Sequence, residues 1–191
     1  MSAGNLEVIT GEMFSGKTEE LIRRLERVRI ACGKILLFKP TIDTRYSQNS
    51  VVTHYGREFE AIPIVSGKES LETLEAAAGK QALEESTVVA FDEGNFFSEK
   101  LYELCETLVL RGKRVIVAGL DLTFDEKPFG PMPRLMALAG QVDKLHAVCV
   151  KCHKPATRSH RITASKETIK VGGTADYEAL CTDCYQKTKS Y

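Results

Sequence analysis

Apolar residues fall along this chain in two rhythms. Short, nearly continuous runs at residues 6–10, 34–38, 87–91 and 114–118 are built from Val, Ile, Leu and Phe, which predicts strands buried on both faces of a parallel sheet. Between them, residues 17–32, 70–84, 99–111 and 133–139 repeat their apolar positions every three to four residues, the helical period. Gly33 and Gly112 follow two of these stretches, where a glycine is expected to close a helix. The alternation predicts an α/β fold: an open, mostly parallel sheet flanked by helices and joined by right-handed crossovers. Ligands would then lie beyond the carboxyl ends of the strands. Near Lys144 the helical period stops, and cysteines, threonines and basic residues take over. The chain is therefore expected to divide into a larger domain, 1–143, and a small second one, 144–191.

The first strand runs into Gly11-Glu12-Met13-Phe14-Ser15-Gly16-Lys17-Thr18, which fits G-x-x-x-x-G-K-[ST] and opens the first predicted helix. This strand–loop–helix context gives the pattern its meaning. Glycines let backbone N–H groups curl around phosphate oxygens, and the helix N-terminus adds positive potential. Lys17 would reach the outer phosphates and Thr18 would hold Mg²⁺, so the chain is read as binding a nucleoside triphosphate on a P-loop, RecA-like domain. The third strand, Val88-Val89-Ala90-Phe91, ends in Asp92-Glu93. After a P-loop, Asp92 is placed to order Mg²⁺. Glu93 would polarise water in a hydrolase or take a proton from an acceptor hydroxyl in a kinase, and the pattern alone leaves both open.

Composition narrows the partners. The 191 residues carry 26 basic and 26 acidic side chains, so no overall field recruits nucleic acid or an anionic membrane. No apolar run nears the roughly 20 residues that span a bilayer. The first residues, Met1-Ser2-Ala3-Gly4-Asn5, lack the layout of a secretory signal, and the expected location is the cytoplasm, with cysteines reduced unless a metal holds them. Cys149-x-x-Cys152 and Cys181-x-x-Cys184 have the spacing of two knuckles that supply four thiolates to tetrahedral Zn²⁺. The 28 residues between the pairs are more than such sites commonly enclose, which points to a long loop pinned at both ends. Cys32 and Cys105 lie on helical patterns and are expected to pack as small apolar residues. None of His54, His146, His153 and His160 is assigned a catalytic role.

With these features in place, the chain resembles the type II thymidine kinases, the human cytosolic type. The resemblance rests on the P-loop through Leu21, on Phe38-Lys-Pro-Thr-Ile-Asp-Thr-Arg-Tyr46, Phe91-Asp-Glu-Gly-Asn-Phe-Phe97, Ala118-Gly-Leu-Asp121 with Pro128-Phe-Gly130, and on both cysteine pairs. It implies transfer of the ATP γ-phosphoryl group to the 5′-hydroxyl of thymidine, giving dTMP, with Glu93 as the base. It also implies Thr18 and Asp92 on Mg²⁺, Lys17 on the transferring charge, and Asp43, Thr44, Arg45, Gly94 and Asn95 near the phosphates. Met13, Leu120, Phe124, Arg161 and Tyr177 would line the nucleoside pocket. The main chain of Thr168, Ile169, Lys170, Val171 and Gly172 would hold thymine as a lasso. A homotetramer inhibited by dTTP belongs to the same implication. Two positions depart from the family pattern: Asn95 stands where Gln is usual, and Glu12 where a small residue or proline is common. From another class, a P-loop ATPase with a nucleic-acid-binding zinc ribbon would use Lys151, Lys154, Arg158 and Arg161, against zero net charge and no evident stacking motif.

Overall fold

The computed structural model describes residues 4–42, 50–52, 58–163 and 172–189. In chain order the elements are β1 (Asn5–Gly11), α1 (Lys17–Ile30), β2 (Ile35–Pro40), β3 (Ser50–Val52), β4 (Glu58–Glu60), β5 (Ile62–Ile64), α2 (Leu71–Ala78) and α3 (Lys80–Glu85). Then follow β6 (Val88–Phe91), a 3₁₀ turn at Gly94–Phe96, α4 (Lys100–Leu110), β7 (Arg114–Gly119), α5 (Met132–Leu138), β8 (Gln141–Leu145), β9 (Arg158–Arg161), β10 (Tyr177–Leu180) and α6 (Thr182–Lys189). Six strands form one sheet in the order β5-β2-β6-β7-β1-β8, and every pairing in it is parallel. Two antiparallel ladders, β3–β4 and β9–β10, stand apart from it. Among the described residues no helix is long and apolar enough to cross a membrane.

The unbroken apolar runs make this a three-layer structure, because successive strand residues point to opposite faces. Leu6, Val8, Val89, Phe91, Val115 and Val117 enter one core with Leu101, Leu104 and Leu108 of α4 and Met132 and Leu135 of α5. Ile9, Leu37, Val88, Ala90, Ile116 and Ala118 enter the other with Leu21, Ile22 and Leu25 of α1. Each such side chain, fully buried, contributes roughly 1.5–3 kcal/mol. Parallel pairing brings the carboxyl ends of β1, β2, β6, β7 and β8 to one edge, where the motifs lie.

Four local expectations are revised. The helical stretch at 70–84 is two helices, because Gly79 takes φ 90° and ψ 135°, a conformation outside any helix. Ser70 caps the first of them by accepting the Thr73 N–H at 3.2 Å. Strands β5 and β8 escape the pattern because they are short edges of the sheet, the first only Ile62-Pro63-Ile64 and the second carrying exposed polar residues. Strand β8 also carries the main sheet through Leu145. Gly112 does close α4 at φ 78°, but at the end of α1 the left-handed residue is Cys32, at φ 57° and exposed. Gly33 is required there for space, since a Cβ would sit 2.6 Å from the Val28 side chain. Cys105, by contrast, is fully buried in the α4 core as expected.

Glu7 is buried on β1, facing α1, and it organises an ion network. Arg24 of α1 reaches Glu7 at 2.8 Å, Glu20 at 2.8 Å and Asp143 of β8 at 2.7 Å. Arg114 of β7 adds a second guanidinium to Glu7 at 2.6 Å. Burial pushes the Glu7 carboxyl up, but Arg114 and Arg24 outweigh it and hold it below the ordinary range. Arg23 and Arg24 draw Glu20 down to about 2. These carboxyls bind protons less readily folded than unfolded. Their contribution to stability is therefore complete above about pH 4.5, and drains as the pH falls toward about 2. Arg24→Met leaves a buried carboxylate with one partner fewer and is expected to destabilise the fold by about 3 kcal/mol in urea unfolding at pH 7. The loss should shrink near pH 2, where those carboxyls protonate. An equal loss at both pH values would mean that Arg24 acts through packing alone.

Candidate active site

The P-loop joins β1 to α1 by three left-handed residues: Gly11 at φ 141°, Phe14 at φ 67° and Gly16 at φ 83°. Such a succession turns backbone N–H groups toward one concavity, which suits an anion. Gly11 has a second reason to be glycine, since a Cβ would stand 2.2 Å from the Leu145 carbonyl of β8. Gly16 caps α1 without any side-chain hydrogen bond. The Ser15 hydroxyl donates to the Glu12 carbonyl at 2.7 Å. The Lys17 ammonium donates to the same carbonyl at 2.8 Å and to Ser15 Oγ at 3.4 Å. Burial of that ammonium pulls Lys17 below its ordinary value, while the fields of Glu93, Glu12, Asp92 and Asp121 push it up.

Thr18 and Asp92 meet, the hydroxyl donating to the two carboxylate oxygens at 3.3 and 3.5 Å. Asp92 is buried. Glu93, next along, is half-buried and takes φ 52° and ψ 42°, left-handed for a residue with a side chain. A carboxylate held in that conformation at the end of a buried strand marks a place where geometry is kept at an energetic cost of order 1–3 kcal/mol. Asp121 is paired with Lys144 of β8 at 2.5 Å. Lys39, at the end of β2 and 2% exposed, donates to the Ser50 carbonyl at 3.1 Å.

Gly94 and Asn95 serve the frame. A Cβ at Gly94 would meet Val117 at 2.6 Å. Asn95 is buried, and its Oδ1 accepts the Leu120 N–H at 2.9 Å, so the shorter amide ties the β6 turn to the end of β7. Leu120 is thereby fixed by its backbone. Asp43, Thr44 and Arg45 lie outside the described residues, as do Thr168, Ile169, Lys170 and Val171. Gly172 is described, and a Cβ there would meet the Asp176 carboxylate at 2.5 Å.

Three of the expected pocket residues come together although the chain separates them widely. The Arg161 guanidinium lies 3.7 Å from the Phe124 ring centroid, and its Nη2 donates to the Tyr177 hydroxyl at 2.9 Å. The loop bearing Phe124 is clamped from the other side: the Tyr185 hydroxyl donates to the Phe124 carbonyl, and Glu126 pairs with Arg158 at 2.7 Å and with Lys189. Met13 donates its N–H to Ser159 Oγ of β9 at 3.0 Å. The lobe carrying these contacts has its own small core of Ala147, Ala156, Ala179, Leu180 and Tyr185 around Cys149 and Cys181.

The sulfurs of Cys149, Cys152, Cys181 and Cys184 all lie within 4.8 Å of one another, and none forms a disulfide. Tetrahedral thiolate coordination, with metal–sulfur bonds of about 2.3 Å, separates sulfurs by about 3.8 Å, so the cluster has the size to hold a metal ion. Burial pushes Cys149 up, yet backbone N–H groups of Cys181, Lys151 and Cys152 outweigh it and bring it down to about 6. Contact with Cys181 pushes Cys184 up to about 12, as expected when neighbouring thiols cannot all ionise without a cation between them.

Sequence reasoning quoted Lys39 and Asp121 inside motifs without giving them roles, and it missed Ser159. An acid just past the end of β7 was a readable signal. Ser159 had none, because its partner is the loop at Met13.

A family model described as thymidine kinase matches residues 4–185. The chain is 46% identical over 184 residues to the thymidine kinase of Bacteroides fragilis, covering 96% of this chain and 88% of that protein. It is 45% identical over 186 residues to the thymidine kinase of Bacteroides thetaiotaomicron, covering 97% and 89%. A genome packaging NTPase from Sulfolobus turreted icosahedral virus 2 is a distant structural neighbour at TM-score 0.49 and 14% identity, covering 77% of each chain, a likeness too slight to bear on function.

Proposed function

This chain belongs to the thymidine kinase family, and from that premise we propose how its residues divide the work of moving the ATP γ-phosphoryl group onto the 5′-hydroxyl of thymidine, giving dTMP. The observation that carries the assignment is the meeting of Thr18, at the start of α1, with buried Asp92 at the carboxyl end of β6, directly beside the P-loop. Phosphoryl transfer asks the protein for alignment and charge placement more than for covalent chemistry. The P-loop from Gly11 to Thr18 cradles the donor phosphates, and Lys17 faces the charge that develops on the transferring group. Thr18 and Asp92 would hold Mg²⁺, which supplies neutralisation of the phosphate oxygens when bound. Their approach to 3.3 Å fits one shared ion. Glu93, at the strand end in a left-handed conformation, accepts the proton of the 5′-hydroxyl.

Phe124, Arg161 and Tyr177 form one wall of the nucleoside pocket, with Leu120 and Met13 beside it. The main chain at 168–172 reads the base, and Asp43, Thr44 and Arg45 approach the phosphates. The four cysteines would hold Zn²⁺ as a structural ion of the 144–191 lobe, which closes the acceptor side and keeps water, a competing acceptor, away from the phosphoryl group. A cytoplasmic homotetramer inhibited by dTTP completes the reading. The rival nucleic-acid module loses most of its cations to internal pairs: Arg158 to Glu126, Lys151 to Glu178 at 3.3 Å, and Arg161 to Phe124 and Tyr177.

With ATP, Mg²⁺ and each deoxynucleoside in turn, ADP release should depend on thymidine and match dTMP by mass. ADP release indifferent to every nucleoside would make the protein an ATPase. Glu93→Gln should retain ATP affinity within about twofold and lower kcat by about two to four orders of magnitude. A kcat near that of the parent removes Glu93 from the role. Chelating the metal should weaken thymidine binding more than ATP binding in calorimetry. Arg161 and Tyr177 belong to the lobe and Phe124 is clamped by it, whereas the P-loop keeps its own strand and helix and would lose only the contacts of Glu12 and Met13. Equal losses would count against a lobe dedicated to the acceptor.

A further inference from the structure

A phosphate-binding loop has no evident use for a carboxylate, since a negative charge beside phosphates weakens their binding. Glu12 nevertheless occupies the second position of the loop, and its side chain is turned away and buried, 2% exposed. Its Oε1 accepts the backbone N–H of Ala147, and its Oε2 faces His146 Nδ1 at 3.6 Å with no hydrogen bond of its own. The backbone of the same residue does something different: the Glu12 carbonyl accepts both the Lys17 ammonium and the Ser15 hydroxyl. Glu12 therefore grips the start of the cysteine lobe with its side chain and the phosphate-reaching lysine with its main chain. The next residue repeats the attachment, Met13 N–H donating to Ser159 Oγ. Ala147 is a firm anchor, itself buried in the lobe core, with its carbonyl accepting the Ala156 N–H at 2.8 Å.

We propose that Glu12 is a positioning residue for the phosphate donor, holding the loop and Lys17 in place by anchoring them to Ala147, so that affinity for ATP is set partly by the cysteine lobe. This rests on the kinase reading. Glycine-rich loops owe their adaptability to the absence of side-chain anchors, and a loop with left-handed residues at positions 11, 14 and 16 has alternatives to collapse into. Two hydrogen bonds from a folded lobe remove them. The turned-away carboxylate also keeps its charge off the phosphates, with a backbone N–H stabilising it.

The test uses the metal-loaded protein and a non-hydrolysable ATP analogue in calorimetry, with thymidine KM measured in parallel. Glu12→Ala should weaken analogue binding about tenfold, the consequence of losing one charge-assisted buried hydrogen bond, and leave thymidine KM within about twofold. Glu12→Gln, whose amide oxygen can still accept the Ala147 N–H, should recover affinity to within about threefold of the parent. Ser159→Ala should weaken the analogue in the same direction. Combined with Glu12→Ala it should lose less than the product of the two, because both act on one segment. Analogue affinity within twofold in Glu12→Ala overturns the proposal, as does an equal fall in ATP and thymidine affinity, which would mark general loosening. If Glu12→Ala does not fold, an unchanged affinity in Ser159→Ala overturns it instead. A parent that binds the analogue but forms no dTMP sinks the kinase reading separately.

Discussion

The reacting end of the molecule depends on β1 being paired on both sides. Its neighbours are β7 and β8, all three parallel, so Thr10 lies opposite Gly119 and Lys144 while Gly11 lies opposite Leu145. The P-loop must leave the sheet at that level, squeezed between two backbones. The Thr10 hydroxyl donates to the Gly119 carbonyl at 3.0 Å, and the Leu145 carbonyl leaves no room for a side chain at Gly11. Register thus decides which residues the loop meets. The strand on one side delivers Asp121 and the loop bearing Phe124, and the strand on the other delivers His146, Ala147 and the first cysteine pair. The P-loop, Asp121 and the cysteine lobe become neighbours because β1 sits between β7 and β8.

Charge is arranged with the same economy. Acids converge where a polyanionic donor would bind, which repels it unless cations are present in the right places. Lys17 supplies one, and in the proposed reading Thr18 with Asp92 would hold another. Around these the other acids are occupied: Asp121 by Lys144, and the Glu12 side chain by Ala147. Several cations of the small lobe are occupied too, Lys151 by Glu178, Arg158 and Lys189 by Glu126, and Arg161 spends its charge on an aromatic face and a phenol. A fold with no net charge can in this way present one strongly polar cleft while its exterior attracts nothing in particular.

The sheet, its parallel sense, the P-loop and the acids after β6 were legible because each is a local pattern: an apolar run, a glycine spacing, a strand end. The cysteine pairs were legible for the same reason. What stayed hidden depends on partners distant in sequence. Glu12 reads as an anomaly until Ala147 is beside it. Arg161, Phe124 and Tyr177 each look like ordinary residues, and only the family resemblance joined them before the structure did. Asn95 raised a question about phosphate positioning, but its side chain proves to hold a backbone N–H at Leu120. Edge strands escaped because a strand with one neighbour need not be apolar on both faces. The break at Gly79 escaped because a lone glycine inside a helical rhythm is often tolerated.

Those edge strands bear on how the protein behaves in a crowded solution. An open parallel sheet ends in two rows of unmatched peptide groups, which invite pairing with another chain and growth into aggregates. Here β5 carries Pro63, which has no N–H to offer an incoming strand. At the opposite margin, β8 sets Asp143 and Lys144 along its short length, and Arg24 draws Asp143 back against the helix layer. Each border therefore carries a feature that discourages an added strand, so the sheet that gathers these residues also resists lengthening.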